Sequence, residues 1–384
     1  MSQQYTHLET QLVHAGEPSP RIAGAVEMPI FQSATYEYAG ESSYDDVRYL
    51  RMNNTPSQQA LHAKLAVLEG AEDALVTASG MAAISGTLLG LLASGDHVLA
   101  QRGLYGGTHE LLTQEFPSLG ITTTPIDADC PAGWAAQLTP RTRLIYVEAM
   151  TNPLLEVGDL GAVAAFAREH GLVAVIDNTF ASPVNFRPLA HGFHLSIHSA
   201  SKYLNGHTDI VAGAVSGSRE LIGRICHRLN VLGGSLDPHA AFLLKRGMKT
   251  LALRVRYQND STLRIAQFLE AHAAVARVNY PGLPSHPRHE RARRLFAGCG
   301  GVLSFELKGG AAVVDRFMAR LRIPALAPSL GGVHTLITRP ALTSHAAVPA
   351  AERRQLGISD GLVRLSVGIE ATEELIADLA GALR

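Results

Sequence analysis

Lys202 stands in the stretch HSASKYLNGHTDIVAG, residues 198–213, with Ser199, Ser201 and Tyr203 beside it. A lysine that only meets solvent needs no such company. One partly withdrawn from water holds its proton less firmly and can attack an aldehyde through Nζ. Asp177 closes the apolar run LVAVIDNTF, and a carboxylate at the exit of a buried strand is costly unless a cation or donors meet it. Ser79, Gly80 and Met81 join an apolar strand-like segment to a helix-like one. That arrangement turns backbone N–H groups toward an anion, and Gly80 lets a phosphate come close. Tyr105, in LYGG, adds an aromatic face for stacking. Each signal has an ordinary reading as well: a surface ammonium, a helix cap or structural ion pair, a glycine turn. Taken together, an anion cup, an acid for a ring nitrogen and an amine for an aldehyde describe one ligand, pyridoxal phosphate. The glycine pattern matches neither Gly-x-Gly-x-x-Gly nor Gly-x-x-x-x-Gly-Lys-Ser/Thr, which argues against a dinucleotide or a P-loop nucleotide.

Elements must hold these residues in place. SQQALHAKLAVLEG, with Ser57 as cap candidate and Gly70 as stop, predicts a helix with Leu61, Leu65 and Leu68 on one face. DALVTAS, DHVLAQ, RLIYVEA and LVAVIDN read as short buried strands, and GMAAISGTLLGLLASG, GGTHELLTQEF and DLGAVAAFAREHG as helices. GITTTPI, FHLSIHSAS and IVAGAVSG read as extended. The alternation predicts an α/β fold with a doubly wound, mostly parallel sheet. Ligands on such sheets sit beyond the carboxyl ends of the strands, where Ser79, Glu148, Asp177, Ser199 and Ser201 fall. Residues 1 to about 50 read as irregular, an arm reaching another subunit. After residue 252 the texture predicts a smaller α+β unit, with a helix STLRIAQFLEAHAAV, a Pro-rich turn through ARVNYPGLPSHPRHE, and strands GGVLSFELKGG and LVRLSVGIE. The expected division is an arm over 1–52, a cofactor-binding domain over 53–252 and a C-terminal domain over 253–384.

The 384 residues exceed one ordinary core. A formal net charge of −1 gives no reason to expect nucleic acid or an anionic membrane as partner. Three cysteines far apart predict buried free thiols in a reducing cytoplasm rather than disulfides or a Cys-based zinc site. The first residues lack the basic start and apolar core of a secretory signal, and no apolar run reaches the ~18 residues that suggest a membrane span. HPRHE, residues 286–290, offers no third metal ligand and reads as a surface loop, so no metal site is expected.

With these residues in view, the sequence resembles the Cys/Met-metabolism family of fold-type-I pyridoxal-phosphate enzymes, which includes cystathionine γ-synthase, cystathionine γ-lyase and methionine γ-lyase. The matching pieces run in order through the chain: QLVHAG, PIFQSATY, LAVLEG, ASGMAAI, GDHVLAQRGLYGGT, VEAMTNP, VIDNTFASPV, HSASKYLNGHTDIVAG, KRGMKTLALR, YPGLPSHP, LSFELKGG, SLGG and LVRLSVGIE. The resemblance implies that Lys202 forms a Schiff base with the cofactor and then shuttles protons, and that Asp177 holds the pyridine nitrogen protonated. It implies that Tyr105 stacks on the ring, that Asn152 contacts the side of its phenolic oxygen, and that Gly80, Met81, Ser199 and Ser201 cradle the phosphate. YLR is similar to the family's Tyr-x-Arg, so Tyr49 and Arg51 would reach the phosphate of a neighbouring subunit. Arg364 would grip the substrate carboxylate in a two-pronged pair. The implied assembly is a homotetramer built from dimers with shared sites.

Three departures bear on these roles. NNTPS displaces the proline of the Asn-Pro-Thr that commonly follows the family's Tyr-x-Arg, which bears on the phosphate contact of Arg51. Thr108 stands where methionine γ-lyases carry cysteine. His334 and Thr335 stand where synthases and cystathionine lyases show Glu-Ser, and both are candidate substrate contacts; a histidine supplies no negative charge for a distal ammonium. The expected activity is cystathionine γ-lyase-like γ-elimination giving a 2-oxo acid, ammonia and a thiol. The alternatives are γ-replacement on an O-acyl-homoserine, methionine γ-lyase and cystathionine β-lyase activity. A non-catalytic module of the same fold is disfavoured by the retained Lys202, Asp177 and Arg364.

Overall fold

The computed structural model describes residues 5–346 and 348–384. Seven short strands form its larger sheet: β1 Asp73–Thr77, β2 His97–Gln101, β3 Thr122–Ile126, β4 Thr142–Glu148, β5 Val173–Asp177, β6 Leu195–His198 and β7 Gly213–Gly217. Their spatial order is β1-β7-β6-β5-β4-β2-β3. Only β7 runs antiparallel to its neighbours. Side chains alternate across a strand, so the sheet feeds two apolar layers. Leu144, Tyr146, Val175 and Ile197 join the helices Gly80–Leu91 and Arg219–Leu232 on one face. Ile145, Val147, Ala174 and Ile176 join the helices Pro56–Glu69, Leu160–Glu169 and Pro238–Met248 on the other.

The second sheet holds β8 Val275–Asn279, β9 Val302–Leu307, β10 Ala325–Leu326, β11 Leu336–Thr338 and β12 Leu362–Ser366, in the order β10-β11-β12-β9-β8. It has its own core with the helix Thr372–Ala382. The 21-residue helix Leu251–Ala271 belongs to both cores. Leu251, Ala252 and Val255 pack in the first, and Ile265, Ala266 and Leu269 in the second. Between them Arg254 donates to the Tyr203 carbonyl at 2.9 Å. One turn on, Gln258 donates to the Gly332 and Val367 carbonyls at 2.9 and 3.0 Å.

Several expectations change. The first helix of the larger unit is capped by Thr55, whose backbone N–H donates to Gln58 Oε1 at 3.2 Å. Ser57 instead accepts from the Phe31 N–H at 2.9 Å. The N-terminal segment is not wholly irregular: Leu8–His14 is a helix. Lys64, fully buried, donates to the Leu12 carbonyl at 2.7 Å. At Gly16, with φ +73°, an added Cβ would sit 2.1 Å from the Ala60 oxygen, so only glycine lets the chain pass here. Lys245 meets Glu17 at 2.6 Å, and Lys249 pairs with Glu27. In HPRHE, His286 is buried and accepts from the Arg288 N–H, while Pro287, Arg288 and Glu290 are exposed, so the stretch is a surface turn anchored by one histidine. Of the cysteines, Cys130 is exposed and Cys226 and Cys299 are half-buried. Among the described residues no helix is long and apolar enough to cross a membrane.

Candidate active site

Because six strands of the larger sheet run the same way, the loops after β1, β2, β4, β5 and β6 open at one edge. There they enclose a cavity of about 740 Å³, closed on the far side by Pro328–Leu330, Thr343, Ser344 and Arg364 of the second unit. Of the sequence candidates, Gly80, Met81, Tyr105, Asn152, Asp177, Ser199, Ser201, Lys202 and Arg364 all line it.

Lys202 follows β6, and its Nζ donates to Ser329 Oγ at 2.7 Å. Burial, with the Arg364 charge adding to it, lowers this amine to about 8. Arg364 projects from β12, with Nη1 donating to Asn152 Oδ1 and Nη2 to the Ser329 carbonyl, each at 3.0 Å. Burial brings the guanidinium down to about 10, which leaves it charged at neutral pH.

Asp177 and Glu148 end adjacent parallel strands and are register partners, so both side chains leave the same face. Burial raises the Asp177 carboxyl, against the pull of the Thr179 hydroxyl and amide and of His198; the Thr179 N–H donates to Asp177 Oδ1 at 2.9 Å. Glu148 lies well above the usual carboxylate range, because it is buried and because Asp177 is beside it. Its Oε1 accepts from the Tyr105 N–H at 2.6 Å, while Oε2 is buried and finds no hydrogen-bond partner among the described residues.

Ser79 caps the helix Gly80–Leu91 by accepting from the Ala82 N–H at 3.0 Å. That leaves the amides at the helix start turned to the cavity. A Cβ on Gly80 would lie 2.8 Å from Ser199 Cβ and Oγ, so the close approach is open to glycine alone. The Ser199 N–H donates to Thr179 Oγ1 at 2.8 Å. Ser201 lines the cavity, but its hydroxyl both donates to and accepts from the Ala212 backbone.

Four candidates are not brought here. Tyr49 and Arg51 do not line their own chain's cavity. Arg51 donates instead to the Asn230 carbonyl at 2.7 Å and to Tyr44 Oη at 2.9 Å. His334 is exposed. Thr335 is buried, with its hydroxyl donating to Glu370 Oε2 at 2.7 Å and accepting from the Gly368 N–H. Sequence reasoning gave no role to Ser329, Thr179 or Glu148. Glu148 carried the same signal as Asp177, an acid closing an apolar strand. Ser329 has φ +95° and Thr208 φ +60°, a conformation uncommon in non-glycine residues.

The residues present fit pyridoxal phosphate. Gly80 and the helix start make a cradle that a Cβ would fill, Asp177 is a buried acid that makes no salt bridge among the described residues, and Lys202 is a half-desolvated amine. The family described as Cys/Met metabolism PLP-dependent enzyme matches residues 9–384. A cystathionine β-lyase of Lactococcus lactis subsp. cremoris is 41% identical over 379 residues, covering 98% of this chain and 99% of that one. A chloroplastic cystathionine γ-synthase of Arabidopsis thaliana is 41% identical over 382 residues, covering 97% of this chain and 68% of that one. Among solved structures, cystathionine γ-lyase from Lactobacillus plantarum complexed with L-serine superposes with a TM-score of 0.92 at 38% identity, covering 98% of each chain.

Proposed function

The chain belongs to the Cys/Met metabolism family of PLP-dependent enzymes, and on that premise we propose that it cleaves a carbon–sulfur bond by γ-elimination from a cystathionine-like amino acid. Pyridoxal 5′-phosphate is its cofactor, and when bound it supplies an electron-accepting ring that lets a proton leave the substrate's α carbon.

The protein's own residues do the rest. Arg364, held by Asn152 and the Ser329 carbonyl, presents its remaining N–H groups to the substrate carboxylate in a planar fork. Lys202 is the base, and its lowered affinity for protons lets it take one from the α carbon near neutral pH. For γ-elimination the same Nζ must also move a proton at the β carbon, which its long flexible stem allows. Asp177 would hold the ring nitrogen with its negative charge. Gly80, Met81 and Ser199 hold the phosphate, with Ser201 keeping the loop shape. Tyr105, half-exposed on the cavity wall, would stack on the ring. Tyr49 and Arg51 contribute to the site of a second copy, within a cytoplasmic homotetramer built from dimers. Exposed Tyr44, Val231 and Leu232 near Arg51 support such a contact. In this reading His334 and Thr335 act on the substrate only through the fold around them.

The observation that carries the proposal is the convergence of Lys202, Asp177 and Arg364 on one cavity. The β-lyase among the relatives favours a second reading, cleavage at the β carbon. Cystathionine given to pure enzyme separates the two by product mass. Cysteine, 2-oxobutyrate and ammonia are expected, whereas homocysteine and pyruvate would replace the γ reading by the β one. Turnover only of an O-acyl-homoserine with a thiol would make the enzyme a γ-replacing transferase.

A further inference from the structure

Glu148 and Asp177 are neighbours across two parallel strands, on one face, both buried and both lining the cavity. Two carboxyl groups so placed cannot both be ionised without large repulsion, and one keeps a proton. The hydrogen bonds decide which. Asp177 receives the Thr179 N–H at 2.9 Å. The Thr179 hydroxyl already accepts from Ser199, so its hydrogen is free to point to the same carboxylate. Glu148 receives the Tyr105 N–H on Oε1, with the Asn152 amide adding a smaller pull toward the ionised form, and Oε2 is buried with no hydrogen-bond partner among the described residues. A buried carboxylate oxygen that meets no donor holds negative charge at high cost, and a neutral hydroxyl there, though also unpartnered, costs far less.

We propose that Glu148 is a neutral carboxylic acid in the working enzyme, that its proton sits on Oε2, and that it is a positioning residue. Through Oε1 it fixes the loop that carries Tyr105. By holding the pair's proton it leaves the pair's single charge on Asp177, where the cofactor's ring nitrogen needs it. Burial raises both carboxyl groups, and the Asp177 charge adds to the rise at Glu148. The titratable groups around the pair are Tyr146 on β4, Tyr105 after β2, His198 on β6 with its partner Glu69, and Lys202 and Arg364 across the cavity. The inference rests on family membership and on the position of Asp177, and not on which carbon–sulfur bond is cleaved.

The test needs no substrate. Infrared spectra of the holoenzyme, grown with carbon-13-labelled glutamate, should show the carbonyl band of a protonated glutamic acid at pH 7, and Glu148→Gln should remove it. The pH midpoint of the cofactor's visible band should be unchanged in Glu148→Gln, which swaps one neutral group for another. In Glu148→Ala, which frees the Tyr105 loop, cofactor release should be about tenfold faster or more, the loss of roughly one charge-free hydrogen bond and its packing. Absence of the labelled band in wild type, its persistence in Glu148→Gln, or a midpoint shift of about one unit or more from deleting a buried neighbouring charge would each overturn the proposal. The wild-type spectrum decides between a protonated and an ionised Glu148 even where a variant does not fold.

Discussion

Arg364 enters the cavity with its guanidinium already held in plane by Asn152 and the Ser329 carbonyl. Those two bonds use one N–H of each terminal nitrogen and leave a fork free. Lysine at this position would keep the charge and lose the fork, and hydrogen bonds to charged groups are worth about 1.5–3 kcal/mol. Arg364→Lys should therefore raise KM for an amino-acid substrate by about 10- to 100-fold with a smaller change in kcat. Steady-state kinetics decide, and an unchanged KM with a collapsed kcat would count against the carboxylate role. At this scale the sequence was informative wherever a residue type is demanded by chemistry. Lys202, Asp177 and Gly80 stood out because lysine, acid and glycine each do there what no other side chain does, whereas Arg364 came only through the likeness to the family. Ser329 was silent, because a serine 127 positions from Lys202 announces neither its positive φ nor its partner.

The helix Pro56–Glu69 is where the N-terminal segment is tied down, through buried Lys64 and the tight passage at Gly16. Burial first, then the Lys245 charge, lower the Lys64 amine to about 7. An unfolded lysine holds its proton to about 10.5. Between those values the unfolded chain binds more protons than the folded one, so this group's contribution to stability rises with pH across the window. Wild type should thus gain on Lys64→Met as pH goes from 7 to 9, by no more than about 1.4 kcal/mol per pH unit. Urea midpoints of both proteins at the two pH values measure it, and a constant difference would refute it. Element types were legible from apolar runs and their lengths, and boundaries less so. ARVN, inside a Pro-rich string, read as a turn but is β8, paired with β9. The helix Leu251–Ala271 starts ten residues before the expected STLRIAQF, because LALRVRYQND mixes charge and apolar residues evenly. Nothing in GAVSG states that β7 runs against its neighbours.

At the scale of the molecule, the role proposed for Tyr49 and Arg51 requires a site completed by another copy. Two inactive variants, Lys202→Ala and Arg51→Ala, would then repair each other when co-expressed. Random pairing makes half the dimers mixed, and each mixed dimer carries one site free of both defects. About a quarter of the wild-type rate is expected on that basis, and none if each chain builds its site alone. The mixture's activity, measured against each variant by itself, gives the answer. The sequence offered these residues only through a likeness of pattern, and nothing in it told that Arg51 meets distant Asn230 as well as nearby Tyr44. The shared helix has a consequence of its own. Arg254 grips the residue after Lys202, and Gln258 grips Val367, three positions past Arg364. The span between amine and guanidinium is thereby the property of a rod. Damage anywhere along that rod would masquerade as a chemical defect while every reactive side chain stayed intact.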